Sequence, residues 1–589
     1  MKRVIHPFLI PVIRNDLSAT QRVRIAYERI LAAGRPEVWI TLRPEAAVAA
    51  EAQAVDLRVA RGEALPLAGR LIAVKDNIDV AGLPTTAACP EFAFTPGRTA
   101  IAIARLIDAG ALVLGKTNMD QFATGLVGVR SPYGAVRCAW NPEKISGGSS
   151  SGSSVAVALG IADIGIGTDT AGSGRVPAAL HGLIGIKATL GLVPTTGVLP
   201  ACADYDCVTV FAQELDLARR ALSVVTGPDH ADPRSRIWPP DVPLAAPSVP
   251  RVAIPRDVDL QPLQASYRSA FTVAVADLAA TGCVVEKVDI SGMLKAALLL
   301  YDGAIVAERY SAVGRFMATM PAGADPTVSL IVLKAGKVAG PAVIDDLDTL
   351  ARAKSAAALT LAGYDGLLLP TTTEHPSIAA VQADPIGINR RMGTYTNFCN
   401  LLDMAAVAFP ARAADGAPFG VMVVVPAFHD QVALDLAARF LNVSSGDPLV
   451  SNGIELTVFG AHLRGQPLNG QLESLGARFV ATVDTSDAYR LVALSTTPAK
   501  PGLIRVAPGH GAAISGEKWL LSPAALGTLL GSLPAPMSLT SIELSDGSWV
   551  VGFGCSHEAA LHGTDITEFG GWVSYLALAV LPGVTTGQT

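Results

Sequence analysis

Two short stretches of this sequence have residue types and spacing suited to acyl transfer. The first is the serine- and glycine-rich tract at residues 146–154, which runs directly into the apolar residues 155–159. The second, GTDTAGS at residues 167–173, again places hydroxyl groups and small residues at a predicted turn. Backbone N–H groups can converge on an anion at such a turn because no large side chain blocks them. Two serine sites this close together indicate nucleophilic chemistry on a carbonyl group.

A lysine upstream supplies the base that such serines need. Lys75 follows the apolar run 71–74, which we predict to be a short buried strand. Burial lowers the pKa of an amine, so a lysine in this position can act as a base near neutral pH. Each feature alone is more often structural, because Gly/Ser tracts form tight turns and a lysine at a strand end is usually solvated. Their combination favours catalysis.

The combination resembles the amidase signature family. The matching segments are 74–76 (VKD), 147–150 (GGSS) and 167–173, with Arg175 and Pro177 after them. The resemblance implies a Ser–Ser–Lys triad in which Lys75 is the base, Ser149 is a bridging serine in a cis peptide and Ser173 is the nucleophile. The family commonly reads GGSSGG in the first tract, whereas this chain has Ser151 in place of a glycine. Because that departure leaves the triad positions intact, we expect an active enzyme.

The turn that carries Ser173 is also the predicted oxyanion hole. Once Ser149 has passed a proton to Lys75, it can accept one from Ser173 as that oxygen attacks a carbonyl carbon. Backbone N–H groups then stabilise the charge that develops on the carbonyl oxygen. We predict that these groups belong to Thr170, Ala171, Gly172 and Ser173.

The segment 301–310 bears on the substrate. Tyr301 and Arg309 are eight residues apart, about two helical turns, so on a helix they would share one face. An arginine can grip a carboxylate at two points. Taken alone, the pair is equally consistent with a packed tyrosine and a surface arginine.

This segment, together with residues 37–40, 117–125 and the C-terminal part, resembles allophanate hydrolases. The resemblance implies that Tyr301 and Arg309 bind allophanate, a small urea carboxylate, and that the loop at Gly125 assists. It further implies functional coupling to a urea carboxylase, a homodimer and no cofactor. The C-terminal segments 458–469 and 515–519 are similar to that family's extra domain, which has a cyclotransferase-like fold and is linked to decarboxylation of N-carboxycarbamate. His462 in this part is a candidate acid–base group, although a single histidine is more often structural.

The pattern of the whole chain is that of an α/β protein with a second domain. Buried strands and amphipathic helices alternate, which predicts an α/β sheet with helices on its faces. The resemblance to the amidase signature family implies that this sheet is mixed. We expect an amidase domain over residues 1–442, a linker over 443–452 and a β-rich α+β domain over 453–589. The predicted strands are 71–74, 111–114, 184–186, 252–254, 282–285, 366–370, 421–426, 455–460, 479–483 and 549–553, and the predicted helices include 99–109 and 431–441.

One motif points elsewhere. Residues 110–117 read GALVLGKT and satisfy the phosphate-loop pattern letter by letter. A phosphate loop follows a strand, whereas here the four-residue spacer is itself apolar and a helical segment precedes it. We therefore interpret the spacer as a strand.

Composition excludes several classes of function. A net charge of −6 over 589 residues provides no basic surface for nucleic acid. The seven cysteines are scattered without a CxxC pair, which predicts a reducing compartment and no structural zinc, and the histidines show no ligand spacing.

His6, Pro7 and Pro11 interrupt the apolar N-terminal stretch, so we interpret it as an ordinary arm. The apolar residues 572–582 are too few to span a bilayer, and we expect a cytoplasmic protein with no membrane association.

Alternatives to an allophanate hydrolase remain within and outside the family. A general small-molecule amidase or the amidase subunit of a tRNA-dependent amidotransferase would use the same triad, but the subunit needs no domain like residues 451–589. A non-catalytic scaffold on an amidase fold is the alternative from another class. The intact Lys75, Ser149 and Ser173 argue against it.

Overall fold

The computed structural model describes residues 8–14, 16–450 and 453–579, and within them the chain forms two compact units. The first comprises the chain up to Ile237 and Val249–Asp447, and the second comprises Trp238–Ser248 and the chain from Pro448 onward. Parts of three predicted regions lie outside the described residues, namely 1–7 of the N-terminal arm, 451–452 of the linker and 580–589 of the C-terminal domain.

The first unit is built on one mixed sheet of eleven strands, in the order β1-β3-β2-β4-β6-β5-β10-β11-β9-β7-β8. Its middle strands are buried along almost their whole length, as expected when helices cover both faces. The strands are β1 Trp39–Leu42, β2 Leu71–Lys75, β3 Leu112–Thr117, β4 Ile164–Asp169, β5 Ile184–Lys187, β6 Cys207–Ala212, β7 Arg251–Pro255, β8 Val284–Val288, β9 Gly366–Pro370, β10 Met404–Pro410 and β11 Gly420–Pro426.

Fifteen helices of the described residues belong to this unit. They are α1 Ala19–Ala33, α2 Glu45–Ala60, α3 Ile101–Asp108, α4 Ser151–Ala158, α5 Arg175–His181, α6 Leu215–Val225, α7 Ala265–Ala280, α8 Ser291–Leu298, α9 Ala307–Met317, α10 Pro326–Ala335, α11 Gly340–Thr360, α12 Ile378–Ala383, α13 Gly387–Met392, α14 Asn397–Leu401 and α15 Asp430–Leu441. Every residue of α4 is buried, so the small residues of the serine tract pack in the core.

The sheet brings the ends of β2 and β4 together. These strands are parallel neighbours, with Val74 opposite Ile166, so their carboxyl ends lie at the same edge. Lys75 is the last residue of β2. Strand β4 extends two residues beyond the position next to Lys75, through Thr168 to its end at Asp169. The carboxyl edge of parallel strands is where α/β proteins commonly place ligands.

The second unit is β-rich. A five-stranded sheet has the order β13-β16-β12-β18-β17, and a three-stranded sheet has the order β15-β14-β19. Its strands are β12 Ile454–Val458, β13 Arg478–Asp484, β14 Tyr489–Leu494, β15 Lys500–Arg505, β16 Ser515–Leu521, β17 Met537–Glu543, β18 Trp549–Cys555 and β19 Thr564–Asp565, and its helices are α16 Asn469–Ser474, α17 Pro523–Gly531, α18 His557–Leu561 and α19 Trp572–Ala579.

The predicted fold class, a large mixed-sheet α/β unit with a smaller β-rich one, is confirmed. The phosphate-loop motif is a strand, as interpreted, because Leu112–Thr117 forms β3. Lys116 of that motif is fully buried and pairs with Asp76 at 3.2 Å, which leaves it no role in holding a phosphate. Strand β1, between the two opening helices, was not predicted.

Within the described residues, no single helix is long and apolar enough to cross a membrane. Helices α10 and α11 together have the length and composition of a membrane span, but they are bent by 97° relative to each other.

Candidate active site

Lys75 lies at the centre of a fully buried polar cluster. Its Nζ is 2.8 Å from Ser149 Oγ and 2.7 Å from Thr168 Oγ1. The three side chains are between 0% and 2% exposed. An amine with two hydroxyl partners can accept a proton from one hydroxyl while donating to the other. Thr168, at the end of β4, was not singled out from the sequence.

The environment of Lys75 suits a base. Burial lowers the pKa of its amine from 10.5 to about 7, against the opposing charges of Asp120, Asp206 and Asp169. Burial disfavours the ammonium form because the surrounding medium cannot solvate its charge. At neutral pH a large fraction of the lysine is therefore uncharged.

Ser149 is positioned by the chain that enters α4. Its hydroxyl lies two residues before that helix, and the Gly148–Ser149 peptide bond is cis, as the family resemblance implies. A side chain at Gly148 would collide with the carboxylate of Asp120 and the backbone nitrogen of Gly128. Glycine is therefore required beside Ser149.

Ser173 sits in the turn between β4 and α5. The carboxylate of Asp169 shapes this turn by accepting hydrogen bonds from the N–H groups of Gly172 at 2.8 Å and Gly174 at 3.1 Å. Arg175 binds the same carboxylate through Nε and Nη2, both at 2.9 Å. Burial alone would raise the pKa of Asp169, but the Arg175 guanidinium outweighs it and the pKa is lowered. The buried ion pair thus fixes the turn on which the hydroxyl is carried.

The hydroxyl of Ser173 faces the carbonyl oxygen of Gly125 at 3.4 Å. Among the described residues, the Ser173 hydroxyl forms this one hydrogen bond and none with Ser149. The structure therefore brings Lys75 and Ser149 into direct contact and places Ser173 on the adjacent turn.

One of the four predicted oxyanion donors is already engaged. The N–H of Gly172 donates to Asp169 Oδ1, so Gly172 does not belong among the predicted oxyanion donors. Across the described part of the chain, the N–H groups of Thr170, Ala171 and Ser173 have no acceptor. The side chain of Thr170 bonds Asp206, a buried carboxylate that the sequence did not single out. Three backbone donors remain free for an oxyanion.

Arg309 is 1% exposed and is held by three groups. Its Nη1 donates to Thr124 Oγ1 at 2.9 Å and to the Ala123 carbonyl at 3.4 Å, and its Nη2 donates to Tyr301 Oη at 3.1 Å. Burial would lower the pKa of Arg309, but Tyr301, Cys202 and nearby carboxyl groups raise it. The guanidinium therefore remains charged although it is buried.

Tyr301 and Arg309 are in contact, but they do not lie on one helix as predicted. The prediction that Tyr301 and Arg309 share one helical face is wrong, because Tyr301 lies in the turn after α8 and a short 3-10 segment, Ala304–Val306, separates it from α9. The turn folds the tyrosine back so that its ring also lies 4.9 Å from the guanidinium carbon. The side chains are together, but a turn and a helix position them.

The second unit contains a separate cavity of about 230 Å³ that His462, Gln471, Lys500 and Phe553 help to line. The Nε2 of His462 is 3.0 Å from Gln471 Oε1, and its ring stacks on Phe553 with a centroid separation of 4.7 Å. Because an amide oxygen accepts, Nε2 carries the hydrogen and Nδ1 keeps its lone pair. Burial lowers the pKa of His462, and the charge of Lys500 adds to that effect.

The described residues hold no group of three or more His, Cys, Asp or Glu side chains that could bind a metal ion. All seven cysteines are free.

Each of the two units matches a known protein family. Residues 22–434 match the family model described as Amidase, and residues 454–577 match the one described as Allophanate hydrolase C-terminal domain. The chain is 40% identical to urea amidolyases of Lachancea kluyveri and Saccharomyces cerevisiae, over 91% and 88% of its length. A solved allophanate hydrolase of Kluyveromyces lactis is 38% identical, with a TM-score of 0.87 over 96% of this chain and 97% of that one.

The chain spans only 31% and 30% of the two urea amidolyases. The family of the larger unit nevertheless follows from a match that covers well over half of the chain. The chain belongs to the amidase family, and its second unit is an allophanate hydrolase C-terminal domain.

Proposed function

We propose that this protein is an allophanate hydrolase whose first unit cleaves the terminal amide of allophanate through an acyl-enzyme on Ser173. The observation that carries the substrate assignment is the unused edge of Arg309. Arginine has five N–H donors, and the contacts above engage those of Nη1 and one of Nη2. The buried Nε has no partner among the described residues. Nε and the second Nη2 hydrogen form the edge that grips a carboxylate at two points.

The position of Arg309 suits a substrate that reacts at Ser173. Thr124, which holds the guanidinium, directly precedes Gly125, whose carbonyl faces the Ser173 hydroxyl. A short molecule with a carboxylate at one end and an amide at the other can therefore contact both groups. Allophanate has this form, and a solved protein of that name is similar over nearly the whole chain.

The proposed reaction in the first unit requires no cofactor. Ser173 Oγ attacks the amide carbonyl while its proton passes to Ser149, whose own proton passes to Lys75. The three free N–H groups of the Ser173 turn stabilise the oxyanion. As the C–N bond breaks, Lys75 returns a proton by way of Ser149 and ammonia leaves. Water then hydrolyses the acyl-enzyme by the same relay, which releases N-carboxycarbamate.

Arg309→Gln tests the substrate assignment. We expect kcat/KM for allophanate to fall roughly 10- to 150-fold, because a hydrogen bond to a charged group contributes about 1.5–3 kcal/mol. Turnover of an uncharged amide should change far less. Steady-state ammonia release from allophanate, biuret, malonamate and simple amides measures both. Arg315→Gln, on the exposed side of the same helix α9, is the matched control.

An unchanged kcat/KM for allophanate in Arg309→Gln would remove the main physical support for this substrate. Equal turnover of simple amides by the unaltered protein would instead favour a general amidase.

We further propose that the second unit decarboxylates N-carboxycarbamate in the cavity that contains His462. The Lys500 ammonium would attract the dianion. His462 Nδ1 would take up a proton from solvent and pass that proton to the substrate nitrogen as the C–N bond breaks. The products are carbon dioxide and carbamate, which decomposes to ammonia and a second carbon dioxide. The match of residues 454–577 to the allophanate hydrolase domain supports this step.

His462→Ala is expected to leave the first ammonia release intact and to prolong the lifetime of N-carboxycarbamate. Carbon-13 NMR of labelled allophanate during turnover would show the intermediate as a transient signal. His510→Ala, in a loop of the same unit, should resemble the unaltered protein. If no intermediate accumulates in His462→Ala, the assigned role of this histidine is wrong.

The remaining expectations extend the same proposal. A urea carboxylase would supply the substrate, and the two longer relatives are named urea amidolyases. A reducing cytoplasm fits the seven free thiols. The homodimer stays a prediction from the family resemblance.

A further inference from the structure

Asp120 joins the segments that surround the reacting groups. It is fully buried and follows β3 by three residues. Its carboxylate accepts hydrogen bonds from the N–H groups of Val127 at 3.1 Å, Gly128 at 2.9 Å and Arg130 at 3.0 Å. One side chain thereby fixes the loop 125–130, since these bonds satisfy both of its oxygens and offset the cost of burying its charge.

The same residue also contacts the bridging serine's segment. The backbone N–H of Asp120 donates to the carbonyl oxygen of Ser149 at 3.2 Å. Gly125 and Gly148 both lie against the carboxylate, and a Cβ atom at Gly125 would come within 2.7 Å of Oδ2. Because these two residues are glycines, Asp120 fits between the segment of Ser149 and the Gly125 carbonyl that faces Ser173.

The charge of Asp120 acts on Lys75. Burial is the largest influence on the pKa of Lys75 and lowers it, while Asp120 provides the largest opposing effect, followed by Asp206 and Asp169. Arg309 is the cation that lowers it further.

The two other carboxyl groups differ from Asp120 in their partners. Asp169 is neutralised by Arg175 in a buried ion pair. Burial raises the pKa of Asp206, which weakens its charge. Asp120 forms no ion pair within the described part of the chain, so its charge is not cancelled locally.

We propose that Asp120 is a positioning residue of the amidase site, which fixes the 125–130 loop against the segment of Ser149 and places a negative charge beside that segment, which contacts Lys75. The role rests on the proposed reaction, in which uncharged Lys75 accepts the proton. It assigns no contact between Asp120 and the substrate.

The test is the pH dependence of kcat/KM in Asp120→Asn, a change of nearly equal size. Loss of a neighbouring opposite charge shifts a pKa by about 1–3 units, so the acid limb of the profile should move down by one pH unit or more. A weaker base and a disturbed loop should also lower the plateau about 10- to 100-fold. Asp120→Glu, which keeps the charge, should lower the rate but hold the limb near its original position.

Asp430→Asn is the matched control. Asp430 is a buried carboxylate that accepts hydrogen bonds from the N–H and the Oγ–H of Thr189. It is not one of the charged groups with the largest effects on the pKa of Lys75, which are Asp120, Asp206, Asp169 and Arg309. This variant should leave the acid limb in place even if it lowers the melting temperature. An Asp120→Asn profile with an unmoved limb, whatever its plateau, would overturn the proposal.

The limb can be measured with any amide that the protein hydrolyses. Failure of allophanate as a substrate would therefore contradict the proposed function without affecting this test. If Asp120→Asn does not fold, Asp120→Glu still decides, because a limb displaced downward although the charge is kept would contradict the proposal.

Discussion

Replacing Ser173 with alanine is expected to lower kcat for ammonia release by roughly 10⁴- to 10⁶-fold, the loss typical of removing a catalytic nucleophile. Ser173 is 2% exposed and lies on a turn that the Asp169–Arg175 ion pair fixes, so the deletion of one oxygen should leave the turn in place. The free N–H groups around it would then face a substrate that no group attacks. Ammonia release from allophanate, with circular dichroism as a check on folding, measures the effect.

Ser154→Ala is the control for Ser173→Ala. Ser154 is a fully buried serine of the first tract whose hydroxyl donates to the Ser151 carbonyl at 2.9 Å, within α4. Its removal should change kcat only slightly. Comparable activity in Ser173→Ala and the unaltered protein would show that another residue forms the acyl bond.

Lys75→Met is expected to lower kcat/KM by about 10³-fold or more, since general-base catalysis contributes roughly 10²- to 10⁴-fold and the relay through Ser149 is lost with it. Methionine matches the length of the lysine stem without a titrating group, so it fits the buried space. Thr168 and Ser149 would each lose a partner, which makes a modest loss of stability the expected side effect.

The pH dependence of the unaltered protein follows from the same residue. In the proposed reaction the uncharged amine is the active form, and the pKa of Lys75 is lowered to about 7. Activity should therefore rise about tenfold per pH unit below pH 7 and level off above it. Lys75→Met should lack this limb. A limb that persists in Lys75→Met would assign the titration, and the base, to another group.

Several residues of the candidate site stand out in the sequence because their patterns are local, although their roles were taken from the family resemblance. Lys75 ends a short apolar strand, and Ser149 and Ser173 lie in small-residue turns before a helix. Such patterns depend on neighbouring residues alone. The strand within the phosphate-loop motif was predictable for the same reason, since its four-residue spacer is apolar throughout.

The rest of the site depends on contacts between distant parts of the chain. Thr168 meets Lys75 across 93 positions, and Thr124 meets Arg309 across 185, so no local pattern marks either residue. The engagement of Gly172 by Asp169 was equally hidden, because the sequence shows which backbone N–H groups a turn contains but not which of them the carboxylate takes. The helical spacing of Tyr301 and Arg309 misled because eight residues can also span a turn and a 3-10 segment.

Fluorophosphonate labelling followed by peptide mass spectrometry tests the central claim, that Ser173 is a nucleophile activated by Lys75. The account predicts one adduct per chain, on Ser173, formed faster at pH 8 than at pH 6, absent in Ser173→Ala and slow in Lys75→Met. An adduct on a different residue, or undiminished labelling of Ser173→Ala, would contradict it.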